Sequence, residues 1–304
     1  MKKKNIISRA AWRLYCEVCG RVSPKRLASV LYRRKFGRPI DWENPRDINE
    51  KINWLKFNSD TSRWSELADK YRVREYAEQC GYADLLVPLY GKWDKAGDVD
   101  WDVLPNQFVM KVNNGCGDVL ICQDKGAIDI QKVNKKYGKL LRKRFGIVTA
   151  EPHYLNIKPC IVAEQYLDVR TQPGETRSLV DYKIWCFDGQ PECVLVCSDR
   201  NSLSLSRAMY DLDWNYHPEW TLYNEHYVKP TSLTPRPASL ERMIEAAAVL
   251  SKGFPEVRVD FYDIEGRPYF GEMTFTAAAG RMNYYSQDFL DYLGSKVKLP
   301  LERQ

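Results

Sequence analysis

Histidine is scarce in this chain: three in 304 residues, His153, His217 and His226. They are too scattered to suggest a histidine-based triad or metal cluster, so a serine or cysteine hydrolase is not indicated. Long apolar runs are also missing, and none approaches the roughly 18 residues that span a bilayer. Lys2-Lys3-Lys4 is followed by no apolar core and does not read as a signal peptide, so the expected compartment is the cytoplasm. The nine cysteines are an odd number in a chain without a secretion signal and read as free thiols. Cys16 and Cys19 form a CxxC, but no second pair lies near it, which argues against zinc. Cys193 and Cys197 fall in an apolar run and read as core. There is no internal repeat and no low-complexity segment.

What is present is an ordinary globular composition, 44% hydrophobic and 28% charged, in a chain long enough for two domains. The charge is uneven. Residues 1–38 hold twelve Lys or Arg and one acid, Glu17, giving 12 − 1 = +11; the formal total is +6, so the remainder carries 6 − 11 = −5. A local basic segment points to an anionic surface or to a solvated helical face, not to a general nucleic-acid binder. Residues 5–20 and 24–36 read as two amphipathic helices, with Ser23-Pro24 starting the second. Ile7, Ala11, Leu14 and Val18 share a face of the first, with Arg9 and Arg13 roughly opposite. Such a pair can lie on a membrane or pack against the body, and both readings stay open.

Asp47 is placed to cap a helix running to about Phe57. Residues 62–80 read as one helical stretch closed by Gly81, and 86–90 as a short strand. Residues 107–112 form a strand with Lys111 near its end, followed by Asn113-Asn114-Gly115-Cys116-Gly117-Asp118 and a second strand, VLIC. That loop lets backbone N–H groups approach phosphate oxygens, or is a plain hairpin turn. It is no Walker A loop, since the lysine precedes the glycines and no helix follows. Residues 130–145 read as a basic helix, and 160–167 as a strand carrying Glu164-Gln165. Pro173-Gly174-Glu175 reads as a loop, 181–187 with 192–197 as an antiparallel hairpin, and 213–237 as a long irregular excursion. A helix over 238–252, closed by Gly253, leads into VRVDFYDI and PYFGEMTF, two strands around Glu265-Gly266-Arg267. Asp260 and Glu272 lie inside them. Carboxylates in strand interiors are costly unless paired or metal-bound, so these either share Mg2+ or meet Arg258, Arg267 and solvent.

A lysine ending a strand, a glycine loop in a hairpin, an acidic strand end and two late strand carboxylates occur in an order that resembles the ATP-grasp superfamily. NPRDINEKINWLKF, LADKYRVREYAEQCG, FVMKVNNGCGD, DYKIWCFDGQPE and VRVDFYDIEGRPYFGEMTF together resemble its teichuronopeptide-biosynthesis, or TupA-like, family over about 38–280. The resemblance implies that Lys111 and Lys70 touch the α/β-phosphates of ATP, and that Asn114, Gly115 and Gly117 belong to a flexible loop over them. It implies Glu164 with Gln165, Tyr166 and Leu167 at adenine and ribose, Asp181 and Lys183 lining the cleft, and Asp260 and Glu272 on Mg2+. Arg200 and Arg258 would face the transferred phosphate or the carboxylate substrate, with Lys183 beside them. Many superfamily members have Asn two residues after the last carboxylate; here Thr274 stands there.

The implied fold is α+β: two lobes with mainly antiparallel sheets gripping ATP, preceded by an N-terminal helical segment. The implied divisions are a basic helical segment at 1–60, a small subdomain at 61–105, a lobe with the glycine loop at 106–170, and a lobe with the carboxylates at 171–304. The implied activity is ATP-dependent carboxylate–amine ligation through an acyl phosphate, joining an amine or amino acid to a uronic acid of a cell-surface polysaccharide precursor. Phosphoryl transfer asks for positioning and charge neutralisation more than for a protein nucleophile, so scarce histidine is no obstacle. A kinase on the same fold and a nucleotide-binding protein without turnover are the alternatives. The basic N-terminus adds an expected peripheral contact with the anionic inner face of the membrane.

Overall fold

A computed structural model describes residues 2–172 and 178–300, with side chains from Arg9 onward. The expected loop at Pro173-Gly174-Glu175 lies outside the described residues. Two helices open the chain, α1 (Lys2–Val22) and α2 (Pro24–Phe36), the second with proline in its first turn and Gly37 in the left-handed cap position. A stripe of α1 formed by Trp12, Cys16 and Cys19 packs with Leu27, Ala28, Phe57 and Ala150. A Cβ on Gly20 would stand 2.2 Å from the Ile147 carbonyl oxygen, so only glycine lets α1 approach so closely. Leu14 and Val18, expected on one face of this helix, are exposed.

Asp47 caps α3 (Ile48–Asn58), its side chain accepting from the Glu50 N–H. The single helix expected over 62–80 is two short ones, α4 (Ser62–Leu67) and α5 (Val73–Gln79). Asp69 causes the break: its Oδ1 accepts from the N–H groups of Tyr71 (2.8 Å) and Arg72 (3.3 Å), a side-chain turn that competes with the helix.

Four strands then form an antiparallel sheet, β1 (Leu89–Trp93), β2 (Phe108–Val112), β3 (Val119–Cys122) and, after helix α6 (Ile130–Leu140), β4 (Ile161–Gln165), in the order β1-β4-β2-β3. Strand β1 begins three residues later than the sequence suggests, and α6 ends five residues earlier. Phe108, Met110, Ile161 and Ala163 form this sheet's apolar face together with Tyr137 of α6, whose hydroxyl donates to the Met110 carbonyl at 2.6 Å.

The second sheet holds β5 (Asp181–Phe187), β6 (Gln190–Ser198), β7 (Leu205–Asp211), β8 (Tyr227–Val228) and, after α7 (Leu240–Leu250), β9 (Val257–Ile264) and β10 (Arg267–Thr274), in the order β10-β9-β5-β6-β7-β8. All its pairings are antiparallel except β7 with β8. Tyr182, Ile184, Val259 and Phe261 share the main core with Met243, Ala246, Ala247 and Leu250 of α7. Strand side chains alternate in direction, so Asp181, Lys183, Arg258 and Asp260 belong to the opposite face. The β9–β10 turn is Glu265-Gly266, both at positive φ (56° and 75°), as a two-residue hairpin requires. A final helix, α8 (Gln287–Lys296), packs on α3. Strand β7 and helix α8 are not among the expected elements, and β8 places a short strand inside the 213–237 segment expected to be irregular.

Candidate active site

The site begins where the 62–80 helix breaks. The break presents Lys70, whose N–H donates to the Asn113 carbonyl at 3.2 Å. Its Nζ donates to the Gly115 carbonyl at 3.0 Å and stands 2.9 Å from Glu272 Oε2. One lysine thus ties the helical segment to the glycine loop and to β10. The loop is anchored at its root by Asn113, which accepts from Cys160 N–H at 2.7 Å and donates to the Lys158 carbonyl at 3.0 Å. Asn114 beside it is buried. Of the two loop glycines, Gly117 has φ +83° with open space around it, whereas Gly115 lies outside that left-handed region.

On the larger sheet, Glu272 of β10, Asp260 of β9 and Lys183 of β5 sit side by side in register. A bulge at Gly271 sets Glu272 opposite Asp260. Arg258 grips Asp260 with two bonds, Nε at 2.7 Å and Nη2 at 2.9 Å, the geometry in which arginine pairs most strongly with carboxylate. Lys183 Nζ stands 2.5 Å from Asp260 Oδ2 and 3.2 Å from Asp181 Oδ1. Arg200 reaches Asp181 at 2.8 Å from a half-exposed position. Thr274 accepts from Arg258 at 3.3 Å and lies 3.4 Å from Glu272 Oε1. Arg267 donates instead to the Asp84 carbonyl, so it is not the carboxylates' partner.

Burial pushes the Glu272 carboxyl up, but Lys70, Lys183 and Arg258 outweigh it and hold the group well below the usual carboxylate range. Burial pulls Lys183 down, and Asp181 and Asp260 more than reverse that. Both stay ionised at neutral pH.

The smaller sheet supplies Lys111 on β2 and Glu164 on β4, 2.6 Å apart. Arg74 of α5 stands 3.7 Å from the same carboxylate and donates to the Val87 carbonyl at 2.9 Å, a partner the sequence reading missed. Gln165 N–H donates to Pro88, Tyr166 hydroxyl accepts from Gln123, and Leu167 packs in a small apolar cluster with Val87 and Tyr269. That cluster joins β10 of the larger sheet to the segments just before β1 and just after β4. Lys70 is paired with Glu272 of the larger sheet and also feels, more weakly, Glu164 of the smaller one. A separate groove at Phe187, Glu192, Pro255 and Lys296 lies by the β5–β6 turn and holds none of these residues.

The arrangement is a cleft between two mainly antiparallel sheets, lined by lysines and arginines matched against few carboxylates, as an enzyme handling a polyphosphate requires. The chain belongs to the TupA-like ATP-grasp family, which matches residues 50–298. That makes it an ATP-grasp enzyme by family, with ATP as its cofactor. Solved structures similar to it include a D-alanine–D-alanine ligase from Bacillus anthracis, at 15% identity and TM-score 0.46, covering 76% of this chain and 67% of that one. Another is an L-amino acid ligase from Bacillus licheniformis, at 16% identity and TM-score 0.46, covering 84% and 56%. A third is the ATP-grasp ligase PsnB in complex with a minimal precursor, at 12% identity and TM-score 0.42, covering 83% and 68%. Among curated proteins, none matches the chain.

The donor types suit Mg2+: Asp260 and Glu272 carry hard oxygens on adjacent strands, Glu272 the more open of the two and Asp260 with both oxygens engaged by Arg258 and Lys183, and among the described residues no group of three or more His, Cys, Asp or Glu forms a metal cluster. Two protein carboxylates leave the remaining positions to phosphate and water, the usual arrangement for Mg2+ at a nucleotide.

Proposed function

We propose that the chain is an ATP-dependent carboxylate–amine ligase that joins an amine or amino acid to a sugar-acid carboxylate of a cell-surface polysaccharide precursor. The carrying observation is the Asp260 cluster, where Lys183 and Arg258 converge on one carboxylate with Glu272 and Lys70 beside it. Such a set neutralises charge that builds on a phosphoryl group and contains no protein nucleophile. In this reading a carboxylate oxygen attacks the γ-phosphorus and ADP leaves. The amine nitrogen then attacks the acyl carbon, phosphate leaves, and the nitrogen gives up its proton. Lys70, Lys111 and the Asn114–Asp118 loop hold the phosphates; Glu164, Gln165, Tyr166 and Leu167 hold adenine and ribose; Arg200 and Arg258 meet the acceptor. Asp260 and Glu272 would hold Mg2+, which would supply charge neutralisation at the phosphates.

The sugar-acid part of the proposal rests on the resemblance to the teichuronopeptide-biosynthesis family. The basic α1–α2 pair gives it a place of work, against anionic lipid where such precursors are held. The experiment is incubation with ATP, Mg2+, glucuronate and glutamate, with ADP measured and hydroxylamine added to trap the acyl phosphate. Hydroxamate formation supports the ligase. ADP with a phosphorylated sugar and no hydroxamate points to a kinase, and no ADP across a panel of sugar acids and amines points to a nucleotide-binding protein without turnover.

A further inference from the structure

Arg207 on β7 belongs to the same sheet face as the Asp260 cluster, because Asp181 pairs with Cys197 and Cys197 with Arg207. It lies two strand spacings, about 10 Å, from Asp181. Its guanidinium carbon stands 3.7 Å from the Tyr227 ring centre and 3.9 Å from that of Tyr284. Those rings are 4.9 Å apart and inclined at 64°, so the guanidinium sits in an aromatic corner. The residue is only 8% exposed, and its Nε and Nη1 have no acceptor. The neighbouring cations all have carboxylates: Lys183 has Asp181 and Asp260, Arg258 has Asp260, and Lys70 has Glu272. Among the described residues Arg207 has none.

Ring faces attract a cation but accept no strong N–H hydrogen bond. A buried guanidinium with unmet donors is costly, and an oxyanion is the group that satisfies its donors most fully. Burial raises the hydroxyl pKa of Tyr284, while Arg207 and Arg258 both pull it back.

We propose that Arg207, framed by Tyr227 and Tyr284, is a recognition subsite for a second oxyanion of the substrate, a carboxylate or a phosphate separate from the group activated beside Lys183 and Arg258. This rests on the ligase reading and narrows it. The acceptor carries two anionic groups, as does a sugar acid bearing a phosphate or an oligosaccharide of sugar acids. Tyr227 lies in the 213–237 excursion, which gives that irregular segment a role in substrate choice.

Calorimetry on the full chain with Mg2+ and a non-hydrolysable ATP analogue tests it, using glucuronate, glucuronate 1-phosphate and digalacturonate as probes. Wild type is expected to bind one of the two-anion probes at least about tenfold more tightly than glucuronate. Arg207→Gln should weaken that probe by about 10- to 100-fold, the range for a lost charge-assisted hydrogen bond, with glucuronate and the ATP analogue unaffected. The probe that responds identifies the oxyanion. Arg207→Lys keeps the charge but loses the fork, and should recover only part of the advantage; it serves as the test if the glutamine variant does not fold. Equal binding of all probes to wild type, or an advantage that survives both substitutions, overturns the proposal and leaves Arg207 as a packing cation. The assay needs no turnover, so a failure of the ligase reading registers separately, as absent hydroxamate.

Discussion

Glu272→Gln separates metal binding from folding in a way that Asp260→Asn does not. Asp260 is 1% exposed and answers two cations, Arg258 and Lys183. Neutralising it leaves both without their shared carboxylate, at a cost of about 3–5 kcal/mol, a large part of the ~5–15 kcal/mol that holds a protein folded. Glu272 has a side chain 34% exposed and one close cation, Lys70, which keeps its bond to the Gly115 carbonyl in the variant. Glutamine has the same shape, so the folding cost should be about 1 kcal/mol, nearer to that of an exposed pair. Turnover should fall by about 10²–10³, the scale of losing one preorganised electrostatic partner of the transition state. ADP release is the assay, with a Mg2+ titration and a thermal melt alongside. The Mg2+ requirement should rise and the melting temperature should barely move. ADP release near the wild-type rate at saturating Mg2+ refutes the metal role. Acid unfolding gives an independent readout. The folded-state pKa of Glu272 is depressed, so its stabilisation is present above the ordinary glutamate range and is lost as pH falls through the lower folded value. The variant should lack that part of the acid dependence.

The glycine loop and the buried histidine give two further outcomes. Gly117→Val should raise the apparent KM for ATP several-fold because a branched side chain resists φ +83°. Gly115→Ala, where a Cβ meets Phe145 at an ordinary 3.7 Å, should be tolerated; ATP kinetics unaltered in both would make the hairpin a connector only. His153 is buried with neither ring nitrogen bonded, and burial followed by the nearby Lys56 lowers its pKa to about 3. The unfolded chain therefore takes up a proton first as pH drops, and stability should fall from about 6.5 towards 3. Urea unfolding at pH 7 and pH 5 should show that difference in wild type and a smaller one in His153→Phe, and equal slopes for the two proteins would contradict it.

The parts of the fold that the sequence made legible are those with local causes. Asp47 announces α3, and alternation in VRVDFYDI and DYKIWCF announces strands whose polar members face the cleft. Free cysteines also follow from composition, and all nine are free. The 62–80 region misled because its apolar spacing continues through Asp69, and periodicity does not register a carboxylate that prefers its own neighbours' N–H groups. That carboxylate was the available signal, since Asp two residues before Tyr71 and three before Arg72 is the spacing of such a turn. Strand β7, LSRAMYD, carries an internal arginine as VRVDFYDI does, and only the sheet register shows that this arginine faces the site. Arg74 meets Glu164 across ninety residues, a pairing no local pattern contains. The candidate site thus lies partly where local rules are broken, at the Asp69 turn that presents Lys70 and at the strand arginine Arg207.

The first helix raises the last question, because the fold uses a different face of it than hydrophobic spacing suggests. Trp12, Cys16, Cys19 and Gly20 take the packed side. Ala11, Leu14, Val18 and Val22 form an i, i+3, i+7, i+11 stripe that stays exposed, with Leu14 at 65% and Val22 at 81%. Arg9, Arg13 and Arg26 are exposed as well. Arg21 flanks the stripe while Arg9 and Arg13 lie roughly opposite it, and an exposed apolar stripe on a basic helix suits the interfacial zone of an anionic bilayer, where apolar groups enter the acyl boundary and basic ones stay among headgroups. Three or four cations at such a surface contribute on the order of 3–4 kcal/mol, at roughly 1 kcal/mol each, which gives reversible attachment. No described helix is long and apolar enough to cross a membrane, so any attachment by this helix is peripheral. Co-sedimentation with phosphatidylserine vesicles should capture the protein at low salt and release it as salt screens the charges. Leu14→Ser with Val18→Ser should weaken capture at unchanged net charge, while ATP binding in the cleft stays intact. If the wild-type chain remains in the supernatant at low salt, or if the serine pair sediments as well as wild type, the stripe is not a lipid contact.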